Sequence, residues 1–203
     1  MKICKYLILL YIFWVGLIAC SLGPEKRDAP ALFDLGPQRA HSANPHVIAA
    51  TVLIAAVNAS AWLDTTGMQY RLAYQDASRP ETYAQHRWVA TPAQLLTERV
   101  RARFAAASRG VVTLQDGAKA DVTLRIELED FSQSFDSAQS SKATMRLRAT
   151  LVTPDTRALL SQRTFNVERP AAPSASGAAQ ALASASDALI EELYAWATQQ
   201  IKK

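Results

Sequence analysis

The residue best placed to undergo chemistry is Cys20, which closes the run Leu17-Ile18-Ala19-Cys20. That spacing resembles the lipobox, where bacterial lipoprotein signal peptidase cleaves before a cysteine already carrying diacylglycerol. Lys2 and Lys5 stand upstream, and Tyr6 to Ile18 carries no charge. A spanning helix needs about 20 apolar residues, so the run is too short to cross a bilayer. A basic start, a short apolar core and a small residue before the cleavage point describe an export signal instead. Residues 1–19 are therefore read as a lipoprotein signal peptide and Cys20 as the lipid-bearing N-terminus of the mature chain. The plain alternative is an uncleaved membrane anchor with an incidental cysteine. Buried methylenes contribute about 0.8 kcal/mol each, so two or more acyl chains hold a protein to a membrane almost permanently.

Little else in the chain carries reactive chemistry. Of the 2 cysteines, Cys4 leaves with the signal and the Cys20 sulfur is consumed by lipid. Neither a disulfide, a thiol nucleophile nor a cysteine metal site is then available. His41 and His46 lie near the N-terminus, leaving His86 alone in the body of the sequence, without a recognisable nucleophile beside it. A lone histidine also does not nucleate a zinc site. Glu127, Glu129 and Asp130 have the types needed for paired-acid hydrolysis, but nearby arginines explain them more simply as a solvated, ion-paired strand face. G-x-S-x-G, S-x-x-K, H-E-x-x-H and glycine-rich phosphate loops are absent from the sequence. The reading is of a protein that is not an enzyme, with no cofactor or metal beyond the covalent lipid on Cys20.

The segment from Trp62 to Trp88 stands out. It gathers Trp62, Tyr70, Tyr74, Tyr83 and Trp88 among Asp64, Arg71, Arg79, Glu81 and Arg87. Aromatic and arginine side chains together are favoured in binding patches. They also occur as core aromatics with arginine at the rim, and the residues leave both readings open. Trp62, Arg71, Tyr74, Arg87 and Trp88 are the candidate partner-binding residues.

These residues need elements to hold them. Of 203 residues, 49% are hydrophobic and 20% charged, which suits one domain with appended segments. Loss of Lys2 and Lys5 from the 22 basic residues leaves 20 against 18 acidic, with no basic run of the kind that binds nucleic acid. Residues 20–45 hold Pro24, Pro30, Pro37 and Pro45 and read as a lipidated cysteine and tether, interrupted by the apolar island Ala31 to Leu35, which is able to dock as an edge strand. The folded domain is expected over 46–203. Val47 to Val57 reads as a buried strand; Met68, Tyr70, Leu72 and Tyr74 alternate with polar neighbours as a half-buried one. Ser78 to Pro80 marks a turn, and Tyr83 to Ala90 a short strand.

Thr91-Pro92-Ala93-Gln94 is a capped helix start. The helix should run to about Ser108, with Leu96, Val100, Phe104 and Ala107 inward, Arg99, Arg101 and Arg103 mostly on other faces, and Gly110 as the stop. Val111 to Leu114 reads as a strand. From Asp121 a long strand should put Val122, Leu124, Ile126 and Leu128 inward. Ala143 to Val152 should pair with it antiparallel, setting Arg146 and Arg148 opposite Glu127 and Glu129. Leu159 to Val167 is the last strand, Ala171 to Gly177 a small-residue linker, and the final helix runs to about Gln200. The expected fold is α+β: an antiparallel or mixed sheet with two main helices on one face, preceded by signal peptide and tether.

Three blocks then carry a family resemblance: Trp62 to Tyr74 (W-L-D-T-T-G-M-Q-Y-R-L-A-Y), Tyr83 to Trp88 (Y-A-Q-H-R-W) and Thr91 to Leu96 (T-P-A-Q-L-L). Together they resemble the ABC-type transport auxiliary lipoprotein family, whose members show a strand ending in a Y-R-like pair, an R-W pair and a helix opening P-x-x-L. The family's Y-x-L element after the lipidated cysteine has Phe33-Asp34-Leu35 here, a departure at its first position. The resemblance spans the mature chain and is strongest over 62–96. It implies a non-catalytic component of an envelope lipid-transport system, partnered with a mammalian-cell-entry (MCE) domain protein. It also implies a lipid-anchored place on the periplasmic face of the outer membrane, docking or assembling the transporter, with phospholipid as a further ligand. Ser21 agrees, because aspartate after the lipidated cysteine is the usual inner-membrane retention signal. The alternative is a lipoprotein that itself binds a lipid or other hydrophobic ligand.

Overall fold

A fourteen-residue strand, β7 (Val122–Phe135), is the spine of the fold. In the computed structural model, which describes residues 29–38 and 47–201, both edges of β7 are occupied along its length. Residues 1–19, read above as a signal peptide, and Cys20, His41 and His46 lie outside the described residues. On one edge β8 (Ser141–Val152) runs antiparallel to β7, and β9 (Leu159–Ala171) antiparallel to β8. On the other edge three strands follow one another, all parallel to β7: β2 (Ile48–Ile54), the two-residue β3 (Asn58–Ala59) and β4 (Gly67–Leu72). β5 (Pro80–Trp88) pairs antiparallel with β4, β1 (Ala31–Phe33) lies parallel to β5, and β6 (Ser108–Val112) lies parallel to β2. The result is a mixed, open sheet of nine strands.

Period-two patterning decides which face is covered. Along β8, Ala143, Met145, Leu147, Ala149 and Leu151 are buried while their neighbours reach the other face. In β7, Val122, Leu124, Ile126 and Leu128 point inward as expected. A bulge between Leu128 and Asp130 then adds a residue and returns Phe131, Gln133 and Phe135 to the covered side. The strand therefore runs well past the acidic stretch.

Two helices cover that face: α2 (Pro92–Ala105) and α3 (Ala175–Ile201); α1 (Ala73–Asp76) is a single turn. α3 lies on β7, β8 and β9 with Leu182, Ala185, Leu189, Leu193 and Trp196 inward. The small residues before it are a packing requirement: a Cβ on Gly177 would stand 2.4 Å from the Ala172 carbonyl oxygen. α2 opens with the expected capping box, in which Thr91 Oγ1 accepts from Gln94 N and Gln94 Oε1 from Thr91 N, and packs against β6 and α3.

Several boundaries differ from the sequence reading, each for a local reason. α2 ends at Ala105, because the Ser108 hydroxyl donates to the Phe104 carbonyl at 2.7 Å and the chain turns directly into β6; Gly110 lies inside that strand. Leu114 belongs to a 3₁₀ turn over Leu114–Asp116, closed by Asp116 accepting from Thr113 N at 2.6 Å and by Gly117 at φ +62°. Tyr74 sits on α1 rather than in a strand, since Asp76 accepts from Ser78 N (2.9 Å) and Ser78 Oγ (2.6 Å) and forces a turn. The island Ala31 to Leu35 is docked: β1 joins the sheet and Leu35 enters the core, so the fold takes in chain ahead of His46.

The largest departure concerns Arg99 and Arg103, which are buried. Arg99 Nη1 donates to Asp187 of α3, and its Nη2 donates to the Leu35 carbonyl at 2.7 Å and the Gly36 carbonyl at 2.6 Å. Arg103 grips Glu191 through Nε (2.6 Å) and Nη2 (2.9 Å), with its guanidinium 3.7 Å from the Tyr194 ring centroid. The Arg99 and Asp187 side chains keep only 6% and 16% of their surface exposed. Removing one member of such a pair costs about 3–5 kcal/mol. Arg99→Ala should accordingly lower chemical-denaturation stability by about 3 kcal/mol or more, with faster amide exchange at Phe33–Gly36 than at Arg103→Ala. Equal protection of that segment in both variants would contradict the clamp.

Candidate partner-binding face

The uncovered side of the sheet carries a ladder of charge. Arg148 pairs with Glu127 directly opposite, and Arg146 Nε lies 2.9 Å from Glu129. Arg148 Nε is 3.8 Å from Glu129, and Lys142 Nζ is 3.0 Å from Glu168 on β9. These carboxylates are engaged by cations and do not form a free acid pair. The arrangement is the one the alternation along β7 and β8 predicts.

Trp62 stands beside this ladder. It follows β3, is half-buried against the core, and carries Arg71 of β4 with its guanidinium carbon 4.9 Å from the ring centroid. Such a contact is worth about 0.5–1 kcal/mol where exposed. Arg71 Nη1 also donates to the Ala77 carbonyl at 3.3 Å, which steadies the side chain over α1. An open groove of about 510 Å³ lies next to Trp62, lined by Asn58, Ser60, Glu127, Leu128 and Glu129.

Asp130 enters the same neighbourhood through the β7 bulge. Burial pushes its carboxyl above the usual range, although Ser132 Oγ donates to it at 2.7 Å and the charges of Arg71 and Arg146 pull the other way.

The structure therefore separates the aromatic block. Trp62 and Arg71 form one unit on the open face. Tyr74 is exposed on α1, apart from them. Arg87 is folded back on its own strand, Nη1 donating to the Tyr83 carbonyl at 2.5 Å and the His86 carbonyl at 2.9 Å. Trp88 is core: it is 2% exposed, its ring centroid is 5.5 Å from that of Phe131, and its backbone N–H donates to the Thr66 carbonyl at 2.8 Å. A side chain that enclosed presents no surface to a partner.

A second aromatic group went unread in the sequence. Phe33, His86, Tyr83, Tyr70 and Phe135 form a chain of ring contacts across β1, β5, β4 and β7, with centroids 4.6–5.9 Å apart. Tyr83 Oη donates to Gln133 Oε1 at 2.6 Å, and burial pushes its phenol up to about 12. His86 is a ring in this stack. Only the register joins these residues, and their spacing in sequence carries no signal of it.

The family that describes the ABC-type transport auxiliary lipoprotein component matches residues 33–193. The chain belongs to that family. No curated protein matches this auxiliary lipoprotein. Among solved structures, a Xanthomonas campestris protein superposes with a TM-score of 0.70 at 21% identity, covering 85% of this chain and 95% of its own. An uncharacterized protein gives 0.65 at 14% identity, covering 84% and 99%. A hypothetical protein from Chlamydia trachomatis gives 0.50 at 10% identity, covering 75% and 98%. At these identities the likeness establishes the fold the auxiliary lipoprotein shares with them.

The raised Asp130 carboxyl carries a pH signature. Between its unfolded and folded pKa values the folded state holds a proton that the unfolded chain releases, so stability falls as pH rises through that window. Asp130→Asn keeps an acceptor for Ser132 without the buried charge. The variant's melting temperature relative to wild type should be more favourable at pH 7 than at pH 4. A difference that is the same at both pH values would remove Asp130 as the source.

Proposed function

We propose that this auxiliary lipoprotein is a non-catalytic, outer-membrane docking component of an MCE-type phospholipid transporter, attached through an acylated Cys20. Family membership over residues 33–193 carries the reading. Three features support it. The open-face carboxylates are ion-paired rather than poised for catalysis. The lipobox-like run ends at Cys20, followed by Ser21. Trp62 and Arg71 offer an aromatic–arginine unit of the kind that anchors interfaces.

The mechanism is positional. The anchor confines the domain to one leaflet, and the open face engages the MCE-domain protein spanning from the opposite membrane, with energy supplied by the transporter's ATPase. Tyr74, exposed on α1, and Arg87, folded back on β5, lie outside the Trp62–Arg71 unit, and Trp88 lies in the core against Phe131. Carriage of lipid within the domain is the competing reading. Phe104, Phe131, Phe165, Trp88 and Trp196 fill the space between sheet and helices, which favours docking.

A photo-crosslinking residue placed at Trp62 or Tyr74 of the intact lipoprotein should trap the MCE-domain protein in envelopes. Trp62→Ala and Arg71→Ala should each weaken that complex by about tenfold, the scale of an interface anchor. Recovery of no MCE-domain protein from any position on the open face would overturn the docking reading.

A further inference from the structure

The N-terminal segment is gripped at one place. β1 pairs with β5, Leu35 is buried, and Arg99 holds the carbonyls of Leu35 and Gly36 while Gln38 Nε2 donates back to the Arg99 carbonyl at 2.9 Å. This grip shortens the leash. Cys20 and Ala31 are eleven positions apart, whereas Cys20 and Val47 are twenty-seven apart. Eleven residues reach at most about 35–40 Å. A folded body of this size has a radius of gyration of about 15 Å and is therefore about 40 Å across. Even at full reach the leash is no longer than the body is wide, so the side of the body that receives it is kept toward the membrane.

That side is apolar. Leu32 is 64% exposed and Val89 52%, and the two are neighbours because Val89 N donates to the Phe33 carbonyl at 2.8 Å. Behind them an open groove of about 370 Å³ runs between residues 32–36 and the first turns of α3, with Ala179 and Ala183 on its far wall. Among the described residues the other exposed large apolar side chains are Val47, Tyr74, Leu114, Leu159 and Leu160; Leu159 lies opposite Val152 at the other edge of the sheet. Five strand spacings, about 24 Å, separate β9 from β1 across the sheet.

Resting on the acylated Cys20 of the reading above, we infer that the β1–β5 rim is a membrane-contacting surface, with Leu32 and Val89 entering the headgroup zone of a phospholipid leaflet. The occupant is a lipid surface because the leash begins at this rim and ends in the bilayer. The charged open face then stands away from the leaflet, accessible to a periplasmic partner.

The mature chain has no other thiol, so single cysteines report cleanly. Leu32→Cys, Val89→Cys, Leu114→Cys and Leu159→Cys, each in the full lipidated protein, would carry an environment-sensitive dye. Reconstitution uses vesicles of phosphatidylethanolamine and phosphatidylglycerol with brominated acyl chains. Quenching at 32 and 89 should exceed that at 114 and 159 at least twofold. Vesicle flotation, read on the same samples, separates the two ideas. Protein that floats with equal quenching at all four positions, or stronger quenching at 114 and 159, overturns the orientation alone. Protein that fails to float overturns the anchor, and the orientation with it.

Discussion

Two arginines buried between helices hold the parts of this fold in relation to one another. Arg99 and Arg103 are four apart on α2, and Asp187 and Glu191 four apart on α3, so both pairs lie on facing stripes one helical turn long. Taking these charges from water is costly, and mutual attraction alone seldom returns more than that cost. Here the remaining donors are largely used. Arg99 reaches two backbone carbonyls of the N-terminal arm, and Arg103 lies over the Tyr194 ring, whose hydroxyl donates to the Ala107 carbonyl at 2.5 Å. Leucines at those positions would stabilise packing without choosing a register. Guanidinium forks choose one, because shifting α2 by a turn against α3 would leave buried charges without partners.

That constraint was the feature least visible in the sequence. Helical periodicity sorts residues by polarity, so arginine is assigned to water, and Arg99 and Arg103 were placed there. The readable signal was the matched i, i+4 spacing of opposite charges on two separate helices, which periodicity within one helix does not compare. Features set by local chemistry were legible: the Thr91 capping box, the alternation of β8, and the cross-strand pairing of Arg146 and Arg148 with Glu127 and Glu129. Features set by register were not. Trp62 and Trp88 look alike in sequence, yet one follows β3 onto the open face and the other ends β5 in the core. The bulge at Leu128–Asp130 likewise carries β7 past the point where the acidic residues end its visible pattern.

The two faces of the sheet divide the work. The covered face is filled by side chains whose identities can drift while their pattern persists, in keeping with a shared fold at 21% identity and a TM-score of 0.70. The open face carries a run of ion pairs: Arg148 with Glu127, Arg146 with Glu129, and Lys142 with Glu168. In this ladder Glu127, Glu129 and Glu168 are each held by a cation, and Asp130 by the Ser132 hydroxyl. The ladder is a suitable place for a partner, since desolvating a pre-paired, ordered surface requires little rearrangement. Trp62, with Arg71 above it, is the one large aromatic in this otherwise ionic field, and it gives that surface an apolar centre.

Tethering changes what such a surface must accomplish. On the proposed acylation of Cys20, with the arm clamped by Arg99, the domain would explore a shell only about 40 Å deep above the leaflet. One molecule confined to a hemisphere of that radius is present at an effective concentration on the order of 10 mM. On that proposal a partner held in the same shell would need only a modest contact to remain associated, so a small patch such as that around Trp62 and Arg71 would suffice where a freely diffusing complex requires a standard-sized interface. The same clamp would then serve both stability and the proposed docking: by fixing where the N-terminal arm meets the body, it would set both the height of the domain and the direction in which its ionic face looks.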